Sequence, residues 1–262
     1  MLFKNDTNCL KFLLPVALLS TMACHTAPPA AENKASAILA MQSPGMHYTT
    51  YQGETGTRKT ITLPDSSTVI LNANSRLLVP DDYGKEQRRI LLDGDAWFTV
   101  NPSPAVFTVV ADKLTAEVLG TSFRMRCFTS QQGATVHLLS GKLKVSKSYH
   151  SETDNQPELL ERGNMILANK EIDLMEKETY DPRDAERWLA DSLQLTNAQG
   201  LLMWRTLEDW YGVEISVTGD ASKTTPVTQL FVKASLQQVL DTLGKTQGFG
   251  YKVEGNKVAI RF

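Results

Sequence analysis

A chain of 262 residues with 42% hydrophobic and 21% charged residues can bury one sizeable core or two smaller ones. Its 27 Lys and Arg against 29 Asp and Glu leave a net charge of -2. No overall field therefore draws it to nucleic acid or to an anionic membrane surface, and nucleic acid is not expected as a partner.

The N-terminus has a composition of its own. Lys4 and Lys11 flank a polar start, and residues 12–23 are almost wholly apolar up to Cys24. A spanning helix needs about 20 apolar residues to cross hydrocarbon. This run is shorter and holds Pro15, which weakens a helix interior. The pattern predicts a signal peptide over 1–23 and export to the periplasm. Thr21-Met22-Ala23-Cys24 resembles a bacterial lipobox, with Thr21 where a branched aliphatic residue is usual, and Ala27-Pro28-Pro29-Ala30-Ala31 reads as the start of a tether over 24–47. Cys24 is thus the expected lipidation site, which would tether the protein to the membrane, and a cleaved soluble form and an uncleaved anchor remain open. Of the three cysteines only Cys127 lies in the folded part, so no disulfide forms there and Cys127 is expected as a small buried hydrophobe.

From residue 48 the chain reads as short β segments separated by turns, predicting an all-β domain over 48–174. Residues 60–63 and 68–71 flank Pro64-Asp65-Ser66-Ser67, a type I turn. Residues 89–92 and 96–100 flank Asp93-Gly94, which predicts a tight hairpin. Segments 107–111, 114–119, 122–128, 135–139 and 142–145 continue the series and suggest a sandwich or jelly-roll-like stack. Residues 149–161 read as a polar loop before a last strand at 165–168. Charged residues with Pro182 predict a linker over 175–187.

The remainder, 188–262, has capped helices among short strands. Thr196 with Gln199 and Ser235 with Gln238 each show the spacing of a capping box. Leu236, Val239, Leu240 and Leu243 form one apolar face, and Met203, Leu207 and Trp210 another. Met203 aligns with Val239, Leu207 with Leu243 and Gly212 with Gly248, so a weak repeat of helix, glycine and strand is visible. With strands at 192–195, 229–232 and 257–262 it predicts a βαβ-βαββ domain, and the fold class is β-rich plus α/β. Gly212 and Gly248 suit helix C-termini.

Catalytic templates fail in turn. There is no H-E-x-x-H, G-x-S-x-G, Walker loop or full G-x-G-x-x-G. His25, His47, His137 and His150 are not paired at ligand spacing, and Asp81, Asp82, Asp93 and Asp95 read as loop and hairpin residues. No catalytic residue, cofactor or metal is expected, and the protein is read as non-enzymatic.

Three stretches carry a family resemblance. Gly56-Thr57-Arg58-Lys59 through Leu63-Pro64-Asp65-Ser66-Ser67 to Ser75 is similar to the opening hairpin of FecR (ferric citrate regulator) proteins, with Ser66 where glycine is usual; that asks for a turn without a left-handed residue. Residues 89–100 are similar to the family's G-E-A-x-F-x-V strand, with Asp95 in place of glutamate. Val118-Leu119-Gly120-Thr121-Ser122-Phe123 is the most specific segment, and Gly120, Thr121, Ser122 and Phe123 are read as an architectural corner. Residues 188–262, with Trp204 and Trp210-Tyr211-Gly212-Val213, resemble the domain that follows in these regulators, akin to the secretin/TonB short N-terminal domain.

The resemblance implies pairing with the periplasmic signalling domain of a TonB-dependent outer-membrane receptor, passing substrate occupancy towards an extracytoplasmic-function sigma factor. Trp204, Trp210 and Tyr211 are the candidate partner contacts and edge-strand addition the contact mode. Family regulators carry a cytoplasmic helical segment ahead of a spanning helix, whereas only residues 1–11 precede the apolar run here. A periplasmic co-regulator or sensor part is therefore expected rather than direct anti-sigma activity. The competing reading is an envelope lipoprotein that binds glycan or peptidoglycan through an exposed aromatic, for which Trp97 is the candidate, since Ala96 and Phe98 point to the other face.

Overall fold

The structure is a computed structural model and describes residues 38, 40–85, 87–220 and 224–262. The expected signal peptide and Cys24 lie outside the described residues.

The first domain is built from strands β1 (Tyr48–Gln52), β2 (Lys59–Thr62), β3 (Thr68–Leu71), β4 (Arg76–Pro80), β5 (Arg88–Thr99), β6 (Phe107–Val110), β7 (Leu114–Val118), β8 (Ser122–Cys127), β9 (Gly133–Ser140), β10 (Leu143–Lys147), β11 (Glu158–Leu160), β12 (Asn164–Asn169) and β13 (Leu174–Thr179). They follow the path β11-β10-β7-β6-β5-β8-β9-β12-β13, with β1 to β4 attached at its middle. Alternation puts Leu138, Val136 and Phe123 inward and their neighbours outward, and Phe98 stacks on Phe123 with centroids 5.0 Å apart at the core's centre. Cys127 is buried and free, and burial raises its thiol pKa.

β5 organises this domain. Its first half pairs with β4 and β6, and its second half with β3 and β8. The hairpin expected at Asp93-Gly94 is not formed, because both residues belong to this one long strand. Asp93 accepts from Arg76 and from the Thr129 amide instead of closing a turn. Gly94 has φ +147°, and a Cβ there would strike Ser75, so the glycine is where β5 bends from one sheet into the other.

Other expectations are corrected in the same way. Ser66 does adopt a left-handed backbone, φ +66°. Asp65 stabilises that turn by accepting from the Ser67 amide and hydroxyl, from Tyr83 Oη at 2.9 Å and from Arg88 Nη1 at 3.0 Å. The polar loop contains β11, whose Leu160 is buried against β10. The tether's far end is packed down, with Ile38 buried against Leu78 and Leu91. The expected linker is ordered structure: it holds the end of β13, paired along its length with β12, and then helix α1 (Pro182–Leu189). Pro182 starts that helix rather than breaking it, since the first helical position needs no N–H, and Asp181 caps it by accepting from the Arg183 amide.

The C-terminal domain runs β14 (Ser192–Ala198), α2 (Gly200–Tyr211), β15 (Glu214–Thr218), β16 (Val227–Val232), α3 (Leu236–Gln247), β17 (Gly250–Glu254) and β18 (Lys257–Arg261), the βαβ-βαββ order read from the repeat. β14 pairs antiparallel with β16, and β18 lies between parallel β15 and antiparallel β17. Ser235 and Gln238 form a reciprocal capping box, and Gly212 and Gly248 end α2 and α3 in left-handed conformation. Thr196 caps nothing, because β14 extends through it, and Gln199 at the start of α2 bonds to Thr224 O instead. Among the described residues no helix is long and apolar enough to cross a membrane.

Candidate functional site

The densest arrangement of aromatic and charged groups lies where the two domains meet. Arg58, at the entry to β2, inserts its guanidinium between the indoles of Trp188 on α1 and Trp210 on α2, 4.0 and 4.2 Å from their centroids. It donates to Trp188 O at 2.6 Å and lies 3.4 Å from Asp191. Burial lowers its pKa to about 10, against the pull of Asp191, so it stays charged at neutral pH. Trp188 also stacks on Trp97 of β5 and sits beneath Arg124 of β8, 4.7 Å from its centroid. Planar, weakly hydrated guanidinium groups suit such stacks better than lysine would.

Beside the aromatic stack lies a charge network centred on Asp95, which is fully buried. Arg124 grips it with Nε and Nη2 at 2.8 and 2.6 Å, and Asn72 Nδ2 donates to it at 2.9 Å. Burial by itself would raise its pKa. The charge and hydrogen bonds of Arg124, with Arg126 and Asn72, outweigh that, and the net direction is down. Arg126 reaches across to Asp209 of α2 at 2.7 Å.

Three backbone carbonyls at the end of α2 complete the contact. Asp209 O accepts from Asn72 Nδ2 at 3.3 Å, Tyr211 O from the Gly56 amide at 2.8 Å and Gly212 O from Asn74 Nδ2 at 2.5 Å. Four buried polar atoms in this region, Arg58 Nη2, Asn72 Oδ1, His137 Nδ1 and Trp188 Nε1, have no hydrogen-bond partner among the described residues. A cleft of about 330 Å³ opens beside them, lined by Arg124, Arg126, His137, Arg187, Gln194 and Trp210. Among the described residues no group of His, Cys, Asp and Glu is arranged to hold a metal ion.

The residues singled out from sequence fall in different places. Trp204 and Tyr211 are buried in the C-terminal core, Trp204 edge-on to Phe249 and Tyr211 bonded through its hydroxyl to Ala234 O, so neither offers a contact surface. Trp210 is half-buried under Arg58. Trp97, the candidate glycan platform, is wholly buried and donates to Ser122 Oγ at 2.9 Å; the face expected to be open is covered by α1. In the Gly120 corner, Thr121 bonds to Lys142 O, Ser122 Oγ accepts from the Trp97 indole, Phe123 lies in the core and a Cβ on Gly120 would press on Pro102. Arg58, Asp95, Arg124 and Trp188 were not singled out for any site. Arg58 and Asp95 lie in the quoted stretches, but no local pattern says that a strand-end arginine meets two tryptophans far along the chain.

The sequence matches the family model described as FecR protein over residues 49–144 and the model described as FecR, C-terminal over residues 203–260. No curated protein matches it. Two crystal structures of a "putative anti-sigma factor" from Parabacteroides distasonis ATCC 8503, at 1.65 and 2.50 Å resolution, share the fold with a TM-score of 0.62 and 22% identity. They cover 81% and 82% of this chain and 98% and 99% of their own.

Proposed function

Because the chain belongs to the FecR family, we propose that it is a periplasmic regulator of cell-surface signalling, coupling occupancy of a TonB-dependent outer-membrane receptor to control of a sigma factor. Membership in a regulatory family carries this reading. The description of the structurally similar proteins as an anti-sigma factor supports a place on the same side of that control. The apolar run before Cys24 supports export, with a lipid on Cys24 holding the protein at the membrane.

The receptor's signalling domain would dock on the C-terminal domain along β16. β14 and β16 make a two-stranded sheet with no further strand beside β16 among the described residues. Its outer face carries Leu230 and Val232, 50% and 59% exposed although apolar. An open strand edge flanked by exposed aliphatic side chains is what an added strand needs, backbone groups for affinity and side chains for register.

The test is capture of the purified signalling domains of the source organism's TonB-dependent receptors by the full chain. One is expected to bind, and Leu230→Asp with Val232→Asp should weaken it at least about tenfold by setting charges in the buried contact. If none of these domains is captured, the receptor assignment is wrong. Mass spectrometry of the mature N-terminus tests location: a lipid-modified Cys24 is expected, and an intact Met1 counts against it.

A further inference from the structure

The last turn of α2 meets the β domain in an unusual way. A helix ends with carbonyls that lack intrahelical donors and with the negative pole of its dipole. Here those groups are served from another domain: Gly56 donates to Tyr211 O, Asn74 to Gly212 O and Asn72 to Asp209 O, while Arg58 covers Trp210 and Arg126 pairs with Asp209. Gly212 allows the approach, since a Cβ there would press on Ala73. The donors come from the stretches 53–58 and 72–74, which flank the opening hairpin.

We propose that this cap is a releasable latch. The C-terminal domain from β14 onward disengages from the β domain as a unit at the end of α2, with Arg58 as the pin. Three observations carry it. First, the two domains keep separate apolar cores, and what joins the end of α2 to the β domain is largely polar: three carbonyls bonded to Gly56, Asn72 and Asn74, and the Arg126–Asp209 pair, whose acid is 59% exposed, and contacts of that kind between domains allow relative motion. Second, α2 has alternatives on release, because water serves a helix C-terminus as well as asparagine does. Third, Asp191, the left-handed residue that ends α1 and leads into β14, touches Arg58, so the link that would turn is tied to the pin. α1 stays on the β domain through the Trp97 stack. α2 packs on β14, the strand paired with β16, so a ligand on β16 and the latch act on adjoining elements. The latch itself needs no partner, and its failure leaves the receptor reading untouched.

Amide hydrogen exchange of the full chain tests it. The Gly56 amide reports the latch because its acceptor is Tyr211 O, and amides of β5 and β8 report the core. Arg58→Ala should speed exchange at Gly56 by about tenfold while the β5 and β8 amides keep their protection. Asn74→Gly, which suits the left-handed backbone at that position (φ +56°) and removes only the side-chain donor, should act in the same direction and serves if Arg58→Ala fails to fold. Unchanged exchange at Gly56 in the folded variant overturns the proposal. So does an equal rise at Gly56, β5 and β8, which would mean that the contact opens only when the whole chain unfolds.

Discussion

Trp97 and Trp188 lie stacked with ring centroids 5.9 Å apart and planes 26° from parallel, one on the central strand of the β domain and the other on the helix that follows its last strand. Both are buried, and Ile70, Leu139 and Tyr180 complete the cluster around them. This pair joins the β domain to α1 as Arg58 joins it to α2.

Trp188→Ala should therefore cost about 3–5 kcal/mol of stability, the range for removing a buried large aromatic side chain. The loss includes the stack on Trp97 and the faces offered to Arg58 and Arg124. Urea titration followed by far-UV circular dichroism measures it. A loss below about 1 kcal/mol, the size of a surface substitution, would show that the Trp188 stack does not hold α1 on the β domain.

Asp95→Ala should be as damaging for an electrostatic reason. It removes the partner of Arg124 and the buried counter-charge near Arg126, and breaking a buried pair from one side costs about 3–5 kcal/mol. Asp95→Ala/Arg124→Leu should recover part of that loss, since the uncompensated cation goes with it. The comparison of urea midpoints across this double-mutant cycle gives the coupling.

Acid should weaken the fold before carboxylates titrate. Burial, with the Arg124 charge adding to it, lowers the His137 pKa to about 4, while Asp95 and Asp184 pull the other way; its ring stands edge-on to Tyr180 at 4.9 Å. The unfolded chain, near 6.5, binds the proton first, so stability is full above pH 6.5 and falls towards pH 4, by about 3 kcal/mol in total. His137→Phe should flatten that slope. Below about pH 4 the depressed Asp95 contributes a further loss in both proteins, because its stabilisation disappears as it protonates.

Two backbone positions should respond in opposite directions. Ser66→Gly relieves a left-handed serine and should stabilise by about 0.5 kcal/mol after glycine's entropy is counted. Gly94→Ala places a methyl group into Ser75 at the bend of β5 and should cost about 2 kcal/mol or more. Thermal melts of the two variants decide both.

Much of this architecture can be read from local pattern. Alternation locates most strands of the first domain, the Ser235/Gln238 box locates the start of α3, and Gly212 and Gly248 locate the C-terminal ends of α2 and α3. The failures share a cause. Asp93-Gly94 has the chemistry of a turn, yet Arg76 and Thr129 bond Asp93, and Ser75 the Asp95 amide beside them, within a continuous strand. Pro182 among charges looks like a linker because the helix it opens buries only Ala185 and Trp188. Trp204 and Tyr211 look like contact residues because the resemblance supplies aromatics without saying which way they face. The contact site was not legible for the same reason: Arg58, Asn72 and Asp95 acquire their meaning from residues that folding alone brings to them.

The burial of Trp97 also bears on how the molecule can be divided. A fragment ended at Thr179 would keep the Trp97 indole without the Trp188 ring that stacks on it, and Arg58 and Arg124 without the aromatic face they cover. Such a piece would be adhesive, inclined to pair with itself or with any acidic chain, and its apparent ligands would be artefacts of the cut. The sound place to divide the polypeptide is after Leu189, so that α1 travels with the strand it shields.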